Sequence, residues 1–360
     1  MTNTPTHARR RSAALLDSRM LASGLDANDY LVLMDQEKEG ADWPSTAEEL
    51  GDERLAHAKH EQALGHVETA KHFYFAASAL YRVGQYPLVE WDDERKRIYC
   101  KLVDAFGGFV ELAGPQIETV AIPYKDYRMD GWLIRPEKAA AGNPVVLMIP
   151  GATGFKEEMF PSAMFMAERG LAVLLIDGPG QGTTMYFNAG RLQLDIEDAY
   201  RVALDFIEAK GEFGNIGIHG SSTGGYYISR AAAVDKRIRA AVWNSGSYTP
   251  GEITEFAPVY RSKFALLYGV SEEEMDGIWP KMTLEGLASK IECSYLVVHS
   301  ESDHIFLMEG ARRAIAESPS ADKELKEYKG TLHCQAGAES EAFRYMADWL
   351  ADRLATFTAS

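Results

Sequence analysis

Gly217-Ile218-His219-Gly220-Ser221-Ser222-Thr223-Gly224-Gly225 is the stretch from which the rest of the chain is read. The turn-rich segment Gly211 to Asn215 leads into it, and Tyr226-Tyr227-Ile228-Ser229-Arg230-Ala231-Ala232-Ala233 can continue from it as a helix. The order is strand, sharp turn, helix. Within it, Gly220-Ser221-Ser222-Thr223-Gly224 fits G-x-S-x-G, in which two glycines let helix and strand approach closely around a serine held in a strained backbone conformation. The candidate nucleophile is therefore Ser222, not Ser221. A plain Gly/Ser-rich loop would match the same positions, so the serine needs partners elsewhere in the chain.

Upstream, Val145-Val146-Leu147-Met148-Ile149 is a continuous apolar run of the kind that forms a strand buried on both faces. It ends in Pro150-Gly151-Ala152-Thr153-Gly154, after which Glu157 to Arg169 reads as a helix. Leu171 to Ile176 repeats the pattern and ends in Asp177-Gly178-Pro179-Gly180-Gln181-Gly182. That cluster lacks G-x-G-x-x-G with a following helix, so it reads as a strand-end turn rather than a dinucleotide loop. Asp195 to Lys210 is the next helix, and Ile238 to Trp243 and Tyr295 to His299 are further strands. Alternating buried strands and helices predict a doubly wound, mostly parallel α/β sheet. About fifty residues separate the last two strands, long for a plain connection. Tyr248, Phe256, Tyr260, Phe264, Tyr268 and Trp279 lie in that interval, which reads as a helical cap insertion at about 245–290.

A serine hydroxyl attacks well only when a histidine accepts its proton and a carboxylate orients that histidine. On a sheet of this kind the chain order is serine, acid, histidine. Asp303 follows the strand Tyr295 to His299, and His333 follows Leu325-Lys326-Glu327-Tyr328-Lys329-Gly330, where a last strand would end. Glu301 competes for the acid role. His304 is adjacent to Asp303 and points elsewhere, and His219 lies on the strand into Ser222 and packs in the sheet. The backbone N–H groups of Thr223 and of Ala152 or Thr153 are the candidate oxyanion donors.

Before Gly114 the chain, 360 residues long, reads differently. From about Ser12 it is helical: Glu53 to Ala63 is charged and helix-favouring, Val67 to Tyr81 places apolar groups at three- and four-residue spacings, and Asp92 to Phe106 is a third helix. After Gly114-Pro115, Ile117 to Ile122 and Met129 to Arg135 form a hairpin about Tyr124-Lys125-Asp126, and Lys138 to Pro144 reads as a surface turn. The predicted division is a helical N-terminal domain, 1–114, and a catalytic domain, 115–360.

With 46% hydrophobic residues a large core is available, and a formal charge of -16 argues against a nucleic-acid-binding surface. Three cysteines, Cys100, Cys293 and Cys334, have no C-x-x-C spacing, so they are read as reduced and partly buried. His57, His60, His66 and His72 contain no H-E-x-x-H pair, so no metal site is expected. Arg9-Arg10-Arg11 is not followed by a long apolar stretch, and no run approaches the roughly 18 residues that span a bilayer. A cytoplasmic protein without membrane contact or cofactor is the expectation, its first dozen or so residues mobile.

These residues resemble the α/β-hydrolase superfamily. Gly65 to Tyr86, the loop Pro150 to Glu158, and Gly330-Thr331-Leu332-His333-Cys334 are similar to the branch that includes the 2,6-dihydroxypseudooxynicotine hydrolases, the fungal pigment polyketide-shortening hydrolases and the fermentation-respiration switch proteins. The resemblance implies an α/β-hydrolase fold, an N-terminal helical domain that contributes to the site and to a homodimer, and hydrolysis of a C–C bond beside a ketone. It also implies an aromatic or polyketide-like small-molecule substrate and a further acid in the cap, at Glu252 with Glu255 as second choice. A carboxylesterase would use the same Ser222, His333 and Asp303, and a noncatalytic regulator on the same scaffold is the alternative of another class.

Overall fold

Aspartates start three of the helices that begin in the first hundred residues. Asp26, Asp42 and Asp92 accept hydrogen bonds from the backbone N–H of Asn28, Ser45 and Arg95, satisfying donors that a helix start leaves open. In the computed structural model, which describes residues 8–12, 16–88, 90–256 (the side chain of Phe256 apart) and 258–355, the helices so started follow α1 (Asp17–Ala22). They are α2 (Ala27–Lys38), α3 (Trp43–Ala63) and α5 (Asp93–Ala113), with α4 (Val67–Gln85) between the last two. The backbone contacts divide the chain into two compact units, Met1–Ile117 and Glu118–Ser360.

In the first unit, small residues let α3 and α4 close on each other. A Cβ at Gly51 would lie 2.5 Å from the Tyr81 ring, and one at Gly84 would lie 3.0 Å from the Ala47 Cβ. Trp43 is fully packed and its indole N–H donates to the Val83 carbonyl at 2.9 Å. Three expectations are corrected here. Arg9 is not loose, because its guanidinium pairs with Asp42 and Glu94 at 2.6 Å each; residues 1–7 lie outside the described residues. Helix α3 starts ten residues before Glu53, at the Asp42 cap. Cys100 is exposed rather than partly buried, while Cys293 and Cys334 are half-buried and all three are free. His57 and His66 both contact Glu61, at 3.4 and 2.7 Å, and His57 stacks on Phe73 with ring centres 3.9 Å apart.

The second unit is built on an eight-stranded sheet of order β1-β2-β4-β3-β5-β6-β7-β8. Its strands are β1 (Ile117–Tyr124), β2 (Tyr127–Ile134), β3 (Asn143–Ile149), β4 (Ala172–Ile176), β5 (Phe213–Ser221), β6 (Ile238–Asn244), β7 (Ser294–Ser300) and β8 (Lys323–Tyr328). Strand β2 runs antiparallel to β4, and every pair from β4 through β3 to β8 is parallel. Each residue of β4 is buried, as are Val145 to Ile149, which accounts for the uninterrupted apolar runs of these central strands. Each such Val, Leu, Ile or Met side chain contributes roughly 1.5–3 kcal/mol by leaving water. Helices α6 (Lys156–Ala167), α7 (Gly182–Tyr186), α8 (Ile196–Lys210), α9 (Thr223–Val234), α13 (Met308–Glu317) and α14 (Glu339–Leu354) connect or follow the strands.

Two local readings change. The turn after β4 does lead into a helix, the five-residue α7. Lys138 to Pro144 is not all turn: Asn143 begins β3, pairing with Phe213 and bonding to the Gly170 carbonyl at 2.9 Å. The interval after β6 holds short helices, α10 (Ile253–Phe256), α11 (Tyr260–Tyr268) and α12 (Glu272–Met275), with single 3-10 turns around them. Tyr248, Phe264 and Trp279 from that interval are buried in the same apolar cluster as the sheet, with the last two rings 4.8 Å apart. Among the described residues no helix is long and apolar enough to cross a membrane.

Candidate active site

Ser222 stands between the end of β5 and the first residue of α9, at φ 57 and ψ -131. Such a conformation costs roughly 1–3 kcal/mol in a residue with a Cβ and persists only where the surroundings impose it. Its N–H donates to the Asn244 carbonyl at 2.7 Å, and its own carbonyl accepts from the Gly225 N–H at 2.8 Å. The flanking glycines are required by contact: a Cβ at Gly220 would sit 2.2 Å from the Gly224 carbonyl oxygen, and one at Gly224 would sit 2.7 Å from that of Pro150. Strand, serine and helix are thereby pressed together at the end of the sheet.

His333 Nε2 lies 2.8 Å from Ser222 Oγ, and His333 Nδ1 lies 2.8 and 3.1 Å from the two carboxylate oxygens of Asp303. An Nδ1–H donated to Asp303 leaves Nε2 unprotonated and able to accept the serine proton. Asp303 Oδ1 also accepts from the N–H groups of Ile305 and Phe306, at 2.9 and 3.0 Å, so the carboxylate is fixed by backbone as well as by the imidazole. Burial raises its pKa, but the His333 charge and these bonds outweigh that and bring it down to about 2. Glu301 and His304, the competitors, both have exposed side chains.

The histidine loop has its own supports. Cys334 and Gln335 both take φ 55, so the chain reverses immediately after His333, and Leu332 and Ala336 exchange backbone bonds at 3.2 Å. Gln335 is fully buried and donates to Ser245 Oγ at 2.9 Å, while Ser300 Oγ donates to the Leu332 carbonyl at 2.6 Å. Sequence reasoning did not single out Gln335; the bracketing Gly330 and Gly337 are the available signal for a tight loop.

Burial pulls the His333 pKa down, while Cys334 and the Asp303 carboxylate raise it, and the raising groups win over the ordinary 6.5. Protonated imidazole cannot take the serine proton, so acyl transfer is expected to rise with pH along a limb whose midpoint lies above 6.5. Asp303→Asn should move that midpoint to lower pH as well as slow the reaction. A kcat/KM profile for p-nitrophenyl acetate, with a midpoint below 6.5 in the unaltered protein, would contradict the assignment.

Thr223, as the first residue of α9, has an N–H with no acceptor inside the helix. Across from it, Gly151 is packed so closely on the serine that a Cβ there would fall 2.9 Å from Ser222 Cβ and 3.4 Å from Oγ. Ala152 is buried and Thr153 half-buried, both inside the turn closed by the Gly154 N–H on the Gly151 carbonyl at 3.1 Å. Glu252 ends the 3-10 turn Pro250–Glu252 and accepts from Ser247 Oγ at 2.6 Å and from the Leu307 N–H at 3.4 Å. Burial raises its pKa, the two hydrogen bonds lower it, and the charge of Asp303 raises it further; the net shift is upward. Glu255 is exposed.

His219 is fully buried, its ring centre 5.8 Å from that of Phe343, and burial drives its pKa down to about 3, so it is a neutral packing group. His299 is buried too. Its Nε2–H donates to the Phe306 carbonyl at 3.0 Å and lies 3.7 Å from Asp303 Oδ2, on the turn that carries the acid. Among the described residues no group of three or more His, Cys, Asp or Glu side chains is placed to hold a metal ion.

A family profile described as "Esterase FrsA-like" matches residues 48–194. The chain is 26% identical over 347 residues to the 2,6-dihydropseudooxynicotine hydrolase of Paenarthrobacter nicotinovorans, covering 93% of this chain and 91% of that protein. It is 32% identical over 250 residues to the alpha/beta hydrolase ucsC of Acremonium sp, covering 61% of this chain, and there it spans only 50% of the relative's length. A crystal structure of the 2,6-dihydroxy-pseudo-oxynicotine hydrolase superposes with a TM-score of 0.85 at 24% identity, over 94% of this chain and 95% of that one. The sheet order, the strained serine between β5 and α9 and the superposition agree: the chain has the α/β-hydrolase fold, and the relatives it matches are named hydrolases.

Proposed function

We propose that the chain hydrolyses the C–C bond beside a ketone in a 1,3-diketone or β-ketoacyl aromatic substrate, through an acyl group carried on Ser222. In this reading Ser222 Oγ attacks the carbonyl as His333 takes its proton, and the N–H groups of Thr223 and of Ala152 or Thr153 stabilise the oxyanion. The tetrahedral adduct then expels the neighbouring carbon with the electron pair of the C–C bond. That carbon leaves as an enolate or phenol tautomer and takes a proton from His333 or Glu252. Water, deprotonated by whichever of the two gave its proton to the carbon, adds to the acyl group, and His333 returns a proton to Ser222 Oγ as the carboxylic acid leaves, so one water is consumed and an acid and a ketone are formed.

The observation that carries the C–C reading is Glu252. Its carboxyl is held toward the neutral form, bonded to the backbone of the loop that bears Asp303, and so suits proton donation to a carbon leaving group. Similarity over nearly the whole chain to a protein named as a pseudooxynicotine hydrolase points the same way. The FrsA-like profile favours a second reading, a carboxylesterase with the same serine, histidine and aspartate. Incubation with benzoylacetone in ¹⁸O-labelled water separates the two. The expected products are a carboxylic acid with one ¹⁸O and the complementary methyl ketone. Turnover of p-nitrophenyl esters with no cleavage of any aryl diketone would leave the esterase reading.

A further inference from the structure

From the glycine-rich turn after β4, the Gln181 side chain reaches the part of the neighbouring loop that packs on Ser222. Gln181 is 2% exposed, and its Oε1 accepts the Gly178 N–H at 2.8 Å. That bond fixes the orientation of the amide, so Nε2 faces the opposite way and donates to the carbonyl oxygens of Pro150 and Gly151, at 2.7 and 2.9 Å. A trans peptide group points its C=O and its N–H in opposite directions within one plane. The Gly151 carbonyl and the Ala152 N–H belong to the same peptide group, and no peptide bond among the described residues is cis. Holding the oxygen therefore aims the N–H.

We propose that Gln181 is a positioning residue for the oxyanion site, setting the direction of the Ala152 N–H by gripping the carbonyl at the other end of its peptide plane. It touches no reacting atom. The inference rests on the reading that Ser222 is the residue acylated. The turn bearing Gln181 is itself tied to the far end of the loop. Asp177 Oδ1 accepts from the Lys156 N–H at 2.9 Å, and Oδ2 accepts from Lys156 Nζ at 2.8 Å and from the Thr183 N–H at 2.9 Å. Both charged groups are buried, and Gly182 at φ +40 passes so close that a Cβ would lie 2.0 Å from Asp177 Oδ2. The two loops thus form one braced unit, with Gln181 as its contact on the oxyanion side.

The test is Gln181→Met, which keeps the length of the side chain and removes its donors. Deleting a whole oxyanion donor costs about 10²- to 10³-fold in kcat, so a donor left in place but unaimed should cost about 10- to 100-fold, with KM for p-nitrophenyl acetate changed by about twofold at most. Affinity for an aryl trifluoromethyl ketone, whose serine hemiketal carries the oxyanion, should fall by the same factor as kcat. A purely structural role would lower Tm and leave the ketone affinity and kcat in place, and that result overturns the proposal. If Gln181→Met does not fold, Gln181→Asn provides the reading, since its amide is one methylene too short to hold both carbonyls and should show the same parallel loss. A fluorophosphonate label on Ser222 of the unaltered protein separates the failures. With labelling present, unchanged kcat in the variant sinks this inference alone; with labelling absent, the nucleophile reading falls and takes this inference with it.

Discussion

Ser222→Ala is expected to lower turnover of p-nitrophenyl acetate by about 10⁴- to 10⁶-fold and to abolish labelling by a fluorophosphonate. The loss is large because the hydroxyl is the only part of the reacting group that the substitution removes. Alanine keeps the Cβ at the same φ of 57, the same N–H bond to Asn244 and the same packing against Gly151, so the fold and the binding surface stay as they are. What remains is catalysis by the oxyanion donors and by binding alone. Mass spectrometry of the labelled protein locates the adduct, and thermal unfolding checks that the variant is intact. Activity retained within tenfold, or a label found at Ser221, would remove Ser222 from the reaction.

Glu252→Gln should divide two reactions that share Ser222. A p-nitrophenolate leaves as a stable anion and needs no acid, so ester turnover should change by a few-fold at most. A carbon leaving group must be protonated as the C–C bond breaks, and loss of a placed general acid lowers that step by about 10²- to 10⁴-fold. Glutamine preserves the acceptor oxygen for Ser247 and the Leu307 N–H, so the 3-10 turn is kept while the acidic carboxyl proton is lost. The comparison is the ratio of benzoylacetone to p-nitrophenyl acetate turnover in the two proteins. An equal fall in both rates would make Glu252 a support for the Asp303 loop and would remove the acid from the C–C reading.

Much of the sheet was legible because burial on both faces leaves an unbroken apolar run, as in Val145 to Ile149 and Leu171 to Ile176. Helix α7 escaped notice since five residues opening on glycine carry no periodicity. The early start of α3 was readable, through Asp42 as cap and Pro44 just inside the helix, but its first turns hold too few large apolar side chains to mark a face. At the site, Ser222, Asp303 and His333 could be picked out by chain order and strand-end position, and the structure places the three within hydrogen-bond distance. Gln181 and Gln335 could not. Their relevance comes from contacts across 30 and 90 residues of chain, and a glutamine in a glycine-rich turn has no spacing that foretells its partner.

The two outermost strands bear on how copies of this protein meet one another. Strand β8 reads Lys-Glu-Leu-Lys-Glu-Tyr, with charged side chains on both faces of the sheet, among them Glu327 paired with Arg312 at 3.2 Å. At the opposite margin, β1 contains Pro123, which has no N–H to offer an incoming chain. A strand from elsewhere would have to strip water from the lysines and glutamates at one margin, or dock on an incomplete row of donors at the other. Edge-to-edge stacking into larger sheets is thereby discouraged at both ends, which favours recovery of the native chain over aggregation when the protein is concentrated or refolded.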